Sequence, residues 1–283
     1  YVNMLVPLAV VDSAWKDEAM RTSEQINSVG LYTNIGGAIE RASYGWTEKD
    51  PDAKRSLILL TDGVVDISPD AQVNADARQE LLESVLPRLQ EAGVTIHTIA
   101  LSGDADEELL TQLAAKTDGW YQKVLMASQL QRVFLKIFGQ ATERESVPLL
   151  NNTFKIDDQI TEFTLLVFKS GNAKETRLKM PNGDVLEAAQ DSPEVSWFQS
   201  EDYDVVTVSQ PMVGMWQVEA EIDPDNQVLV VSNIKVKASD IPNNLLANET
   251  ISIQMSLNQD NERITDQQFL ELIKMQLEVD SDN

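Results

Sequence analysis

The 283-residue chain contains no cysteine and a single histidine, His97. Without cysteine it has no disulfide framework, no thiolate nucleophile and no thiolate metal ligand. With one histidine it cannot build a multi-histidine zinc site, and a histidine-centred triad would depend on His97 alone. That residue lies inside "VTIHTIAL" (94–101), an apolar run, so it is expected as a satisfied side chain on a buried strand. Bases are also scarce, 22 Lys and Arg against 46 Asp and Glu, for a formal net charge of −24. Such a surface repels nucleic acid and anionic lipid, and no basic cluster reverses this locally. Most of the acids are expected to be plain solvated surface. No apolar run reaches the roughly eighteen residues of a membrane-spanning helix, and no signal peptide opens the chain. Membrane attachment is therefore expected only through a segment outside it. The opening "YVNMLVPLAVV" lacks an initiator methionine and reads as the middle of a domain.

A hydrophobic fraction of 42% is enough for packed cores, and the length suits two domains with a further fragment. From residue 1 to about 142 the pattern alternates between strand and helix. "VNMLVPL" predicts a short strand closed by a proline. Residues 14–28 are polar and helix-prone, and 34–45 predict a helix with Ile35, Ala38, Ile39 and Ala42 on one face. "SLILLT" (56–61) is a continuous apolar run, as in a strand buried on both faces of a parallel sheet. Residues 73–92 predict a helix with Leu81, Leu82, Val85 and Leu89 inward, stopped at Gly93. The strand "VTIHTIAL", a helix over 104–117 with acids in its first turn, a short strand "WYQKVL" and a last helix "SQLQRVFLKIFGQA" follow. This order predicts an α/β layer around a mainly parallel, doubly wound sheet.

From 148 to 238 the character changes to short β-rich runs, such as "EFTLLVFK", "YDVVTVS" and "VLVVSNIKVK", separated by turns such as "PNGD" and "DPDN". An antiparallel sandwich is expected there. Between the two parts, "TERESVP" (142–148) has the charge and proline of a linker. Residues 241–283 hold two further strand-like runs, "ETISIQMSL" and "FLELIKMQLEV", around the polar loop "NQDNERITD". They read as the start of another β-domain or as a C-terminal extension.

Two short stretches carry the chemistry. In "GLYTNIGGAIERA" (30–42) a glycine turn runs through Thr33 into a helix, and in "SLILLTDGVVDISPD" (56–70) Asp62 follows the strand. In open α/β sheets ligands bind outside the carboxyl ends of the strands. A hydroxyl and a carboxylate converging there are hard oxygen ligands for Mg²⁺ or Ca²⁺. The same residues also suit an ordinary helix N-cap and an ordinary turn.

"GLYTNIGGAIERA", "LILLTDG", "GVTIHTIAL", "LLTQLAAKTDGWY" and "FLKIF", in this order over residues 1–140, resemble a von Willebrand factor A domain. The resemblance implies a doubly wound sheet and a metal-ion-dependent adhesion site, with Thr33 and Asp62 as metal ligands. It implies Mg²⁺, or Ca²⁺ or Mn²⁺ in its place, and a protein partner whose exposed carboxylate completes the coordination. The family's site also uses a D-x-S-x-S loop after its first strand. No such motif occurs in this chain: "DSAWKD" (12–17) and "DISPD" (66–70) have the wrong spacing. The resemblance thus implies that two strands and a helix of the fold lie upstream, and that metal binding needs them. The β-rich half, with "TRLKMPNGDVL" and Pro211, Gly214 and Trp216 of "PMVGMW", resembles the immunoglobulin-like sandwich that follows A domains in secreted bacterial proteins. Trp216 is expected in its core. The whole arrangement resembles bacterial proteins of this kind with a membrane anchor, which implies an extracytoplasmic, periplasmic location.

Three functions remain open on the sequence. The first is a non-enzymatic adhesion module gripping an acidic partner group through a divalent cation. The second is a structural A domain without a working metal site. The third is a metal-assisted hydrolase. The hydrolase needs a general base, for which Asp66 and Asp70 are the nearest candidates. Those two acids fit equally an auxiliary cation site or plain loop acids.

Overall fold

The computed structural model describes residues 2–27, 30–51, 53–141, 145–170, 174–188, 192–232, 234–239, 250–259 and 262–265. Its contacts divide the chain after Ala141 into two units.

In the first unit the chain runs through α1 (Ser13–Ser23) and α2 (Ile35–Ala42) into strand β1 (Arg55–Thr61). A long helix follows in two parts, α3 (Ala71–Glu80) and α4 (Leu86–Glu91), joined by one π-turn at Leu81–Val85. Strand β2 (Val94–Ala100), helix α5 (Glu107–Lys116), strand β3 (Tyr121–Lys123) and helix α6 (Ala127–Ala141) complete it. The strands form a parallel sheet in the order β1-β2-β3, with Ile58 opposite His97. Alternation along the strands sends side chains to two cores. Leu57, Leu59, Val94 and Ile96 pack with Ile35, Ile39, Leu86, Leu89, Leu109 and Leu113. Ile58 and Ile99 pack with Leu130, Val133 and Ile137 of α6 on the other core. Helices thus cover both faces of the sheet, which is the doubly wound arrangement expected.

Helices α2, α3 and α5 each begin on a side-chain cap that satisfies a backbone N–H the helix cannot. Asn34 Oδ1 accepts from the Gly37 amide at 2.8 Å, Asp70 Oδ1 from Gln72 at 2.9 Å, and Asp106 Oδ1 from Leu109 at 3.0 Å. The π-turn widens the long helix where Leu81 and Val85 enter the core. At the far end of α5, Asp118 takes a left-handed φ of 56° and Gly119 follows. A Cβ on Gly119 would sit 1.9 Å from the Ile96 carbonyl oxygen, so only glycine lets this turn lie against β2.

Three expectations change. Residues 2–12 contain no strand: Pro7 offers no N–H, no described segment pairs with them, and Leu8, Val10 and Val11 are exposed. β1 is half-buried and not buried on both faces, because it is an edge strand among the described residues. The first helix ends at Ser23 and buries no residue, and α2 stops at Ala42, which is exposed.

The second unit contains β4 (Glu145–Val147), β5 (Thr153–Ile156), β6 (Ile160–Phe168), β7 (Arg177–Lys179), β8 (Val185–Leu186), β9 (Val195–Gln199), β10 (Tyr203–Ser209), β11 (Gly214–Glu219) and β12 (Gln227–Ser232). These make two antiparallel sheets, β4-β12-β6-β10-β9 and β5-β11-β7-β8. Inward residues of both close one core, with Phe163, Leu165, Val206 and Val228 from the first sheet and Phe154, Leu178 and Trp216 from the second. Trp216 is fully buried, as expected, and its indole N–H donates to the Met212 carbonyl at 2.8 Å. "VLVVSNIKVK" is not one strand. It divides into β12, inside the sandwich, and β13 (Ile234–Ala238), which pairs with β14 (Met255–Gln259) and β15 (Glu262–Arg263) in a separate sheet. Of "ETISIQMSL" only the last three residues fall in β14, and the run "FLELIKMQLEV" lies outside the described residues. Among the described residues no helix is long and apolar enough to cross a membrane.

His97 is buried as expected, and its Nδ1 accepts from the Trp120 amide at 3.2 Å. Burial holds its pKa below the ordinary value, against a smaller upward pull from Asp118. The neutral ring is therefore the folded form, and below pH ~6.5 the unfolded chain gains a proton that the folded chain refuses. Stability is full above that pH and falls as the pH drops toward the folded pKa. His97→Asn keeps an acceptor near the Nδ1 position and removes the titration. Urea melts of the first unit between pH 7 and 5.5 should show a decline in the parent that is absent in this variant.

Truncation of Trp216 should cost the sandwich about 3–5 kcal/mol, as for large aromatic side chains removed from cores. Tryptophan-independent circular dichroism during chemical unfolding of Trp216→Ala measures it.

Candidate functional site

Three connections leave the carboxyl ends of β1 and β2 or approach them. The loop 30–34 precedes α2, the loop 62–70 follows β1, and the loop 101–106 follows β2. The first two are joined by a short antiparallel bridge. The Thr33 amide donates to the Asp66 carbonyl at 2.6 Å, and the Asp66 amide to the Thr33 carbonyl at 3.0 Å. The third is joined to the second where the Leu101 amide donates to the Thr61 carbonyl at 2.8 Å and the Ser102 hydroxyl donates to the Asp62 carbonyl.

This pairing brings the two sequence-proposed residues to one end of the sheet. The Thr33 hydroxyl oxygen lies 3.5 Å from where a Cβ on Gly63 would stand, beside Asp62 in the chain. Asp62 is exposed and Thr33 half-exposed. Gly63 is also held from below, its amide donating to Thr61 Oγ1 at 3.3 Å. Among the described residues neither the Thr33 hydroxyl nor the Asp62 carboxylate has a hydrogen-bond or ion-pair partner. Two free hard-oxygen groups on tied loops fit a divalent cation as part of its shell. They do not complete one, and no cluster of three His, Cys, Asp or Glu side chains able to hold a metal occurs among the described residues.

Asp66 and Asp70 have other work. Asp66 carries the bridge to Thr33 on its backbone, and its Oδ1 accepts from Asn74 Nδ2 at 3.0 Å. Asp70 caps α3. The residue that organises this loop is Asn74, which composition and motif did not single out. Its Oδ1 accepts from the Ile67 and Ser68 amides at 2.8 and 3.0 Å, and its Nδ2 also donates to the Ser68 carbonyl at 2.9 Å. One amide side chain thus makes four hydrogen bonds to a three-residue turn. Ser102 was equally unmarked; only the rule that sites gather at strand ends points to it.

The loop after β2 is anchored by Asp106, which pairs with Arg78 of α3 through contacts of 2.6 and 3.2 Å. Burial pushes the Asp106 carboxyl up, but the Arg78 hydrogen bond, the Leu109 amide and the Arg78 charge outweigh it and leave it below its ordinary value. The contribution of this pair is present above the ordinary carboxylate pKa and is lost as the pH falls through the folded one.

Residues 14–136 match the family model described as von Willebrand factor type A domain. Residues 135–233 match that described as hemicentin galactose-binding domain-like, which supports the immunoglobulin-like resemblance only loosely. No curated protein matches the chain. Among solved structures it is similar to a von Willebrand factor type A protein from Catenulispora acidiphila, at 14% identity and a TM-score of 0.37. That match covers 89% of this chain and 49% of the other, so the chain spans about half the length of that relative.

Asn74→Ala should destabilise the first unit by about 1–2 kcal/mol, since the turn is half-exposed and water replaces part of what is lost. It should also raise amide exchange at residues 66–68 well above that elsewhere in the unit. Hydrogen exchange read by mass spectrometry distinguishes this local loosening from global loss.

Proposed function

We infer that the von Willebrand factor A domain of residues 14–136 is a protein-binding module whose contact surface is the end of the sheet bearing Thr33 and Asp62. The finer reading is that these two residues help hold a divalent cation, Mg²⁺ or a close substitute, through which a carboxylate of the partner is gripped. A bound cation there would supply a positive charge at an otherwise acidic surface. The observation that carries this reading is the free Thr33 hydroxyl beside the Asp62–Gly63 turn, on loops tied by the Thr33–Asp66 bridge. The chain's own contribution is positional. The bridge sets the hydroxyl, the Ser102 contact sets the Asp62 backbone, and Asn74 fastens the turn at residues 66–68.

Binding is favoured over hydrolysis because Asp66 and Asp70, the nearest acids, are committed to the bridge, the Asn74 contact and the α3 cap. The lack of a D-x-S-x-S loop in this chain favours one competing outcome, a domain whose cation site does not work by itself.

Mg²⁺ dehydrates reluctantly and demands near-ideal octahedral geometry, so two side chains should bind it weakly. Where a D-x-S-x-S loop accompanies this domain in the natural protein, calorimetry should show Mg²⁺ binding that Thr33→Ala or Asp62→Ala weakens at least tenfold. Thermal stability without metal should change by less than about 0.5 kcal/mol, since both groups are on loops and unpaired. Equal silence from parent and variants would leave a structural A domain.

A further inference from the structure

We propose that β9, an open edge of the sandwich, receives an extended segment of a partner protein that is apolar at its centre and basic at its ends. The proposal concerns the second unit and does not depend on the cation reading above.

The two sheets of the sandwich end on β4, β5, β8 and β9 among the described residues. An edge strand presents unpaired N–H and C=O groups, and proteins blunt it with short strands, lysine or proline. β4 has three residues and is followed by Pro148, β8 has two, and β5 has four with Lys155 among them. β9 has five, Val195–Gln199, and contains neither lysine nor proline. It is also firmly held. All five residues pair with β10, and Val195 and Trp197 pack against the sandwich core. The unprotected edge is thus a fixed template, which a partner need not order on binding.

The free groups follow from the ladder. The Ser209 amide donates to the Glu194 carbonyl and the Ser200 amide to the Tyr203 carbonyl, both at 2.9 Å. Antiparallel pairs alternate between bonded and non-bonded. Ser196, opposite Thr207, and Phe198, opposite Val205, therefore use their backbone groups on β10. Trp197 and Gln199 point theirs away from it, whereas the Val195 amide already donates to the Ser192 carbonyl at 3.2 Å. Donors and acceptors on alternate residues are what an added strand takes up. On the outer face Phe198 is 54% exposed and lies beside Val205, which lies beside Leu166. Its ring stands 5.8 Å from that of Tyr203. An apolar residue opposite Phe198 extends that row.

Charge selects the occupant. Glu194 stands before the strand and Glu201 and Asp202 after it, all exposed. Residues 180–234 contain no Lys, Arg or His. Basic ends on an incoming segment meet these acids. A second copy of the chain does not satisfy them. With two β9 strands antiparallel about Trp197, Glu194 of one falls opposite Ser200 and next to Glu201 of the other, and like charges so placed oppose pairing.

The test uses the chain and a fluorescein-labelled peptide, Lys-Lys-Val-Thr-Val-Thr-Val-Lys-Lys, read by anisotropy. Its controls are the same peptide N-methylated at alternate residues and an analogue with glutamate in place of lysine. The basic peptide should bind at least about tenfold more tightly than either control, and nuclear magnetic resonance should show slowed exchange at the Trp197 and Gln199 amides. Gln199→Pro removes an N–H that faces away from β10, so it should abolish binding and leave the circular dichroism of the sandwich unchanged. Ser196→Lys alters an exposed side chain, keeps every backbone donor and should weaken binding, which preserves the test if the proline unfolds the sandwich. Binding that leaves the two amides exchanging as before, or that the N-methylated peptide reproduces, overturns the strand pairing. Equal binding of the glutamate analogue overturns the basic partner. Self-association that protects the same amides without peptide overturns it too and assigns the edge to a second copy. No binding at millimolar peptide overturns the proposal.

Discussion

The pair of backbone hydrogen bonds between Thr33 and Asp66 is the contact on which the loop arrangement at the carboxyl end of the first unit's sheet depends. Two loops far apart in sequence each leave or enter a regular element, and nothing in their own chemistry holds them together. The bridge does so with two amides and two carbonyls, at 2.6 and 3.0 Å. Buried or half-buried backbone groups must find partners, so the bridge also satisfies groups that the loops would otherwise leave open. Around it the side chains divide the labour. Asn74 fastens the turn after Asp66, Asp70 starts α3, and Ser102 joins the connection from β2. What is left unbonded is the Thr33 hydroxyl and the Asp62 carboxylate. Under the proposed function these two are the binding groups, and such groups must stay available while their neighbours are tightly bonded.

The sheet beneath explains why the loops meet at all. β1 and β2 run parallel in register from Arg55 opposite Val94 to Thr61 opposite Ala100, so their ends coincide. The turn before β3 is fixed by Gly119 against Ile96 and by the Trp120 amide on His97. Arg78 and Asp106 tie α3 to the start of α5, which limits how far the loop after β2 can move. These interactions are remote from Thr33 in sequence, and their effect on it is through the position of the strand ends.

Much of this was legible because the signals were local. Apolar periodicity marked α2 and the long helix, continuous apolar runs marked β1 and β2, and Asp62 and Thr33 stood at strand-end positions. What escaped depended on contacts between distant residues. "VNMLVPL" has the composition of a strand but, among the described residues, no neighbour to pair with, and composition cannot report a neighbour. The single run "VLVVSNIKVK" divides between two sheets because its halves pair with different strands. Asp66 and Asp70 look like catalytic or metal-binding acids until Asn74 and the α3 cap are seen to occupy them. Asp204 belongs to the acids expected at the surface, yet it is fully buried and pairs with Lys169 Nζ at 2.8 Å. A buried charge is tolerated only with a partner, and that partner lies 35 residues away. The sandwich itself was legible as two antiparallel layers, whereas its family resemblance was not fixed by strand pattern alone.

The place proposed for a divalent cation is the end of the sheet where Thr33 faces the Asp62–Gly63 turn. Paramagnetic Mn²⁺ reports location even when affinity is low, because it broadens nuclear resonances close to it. Titrated at substoichiometric amounts into isotope-labelled protein, Mn²⁺ should broaden the amides of Thr33, Gly63 and Ser102 first, and Mg²⁺ should reverse the effect. Broadening spread over the acidic surface, with those three amides unaffected or affected no sooner than the rest, would contradict it.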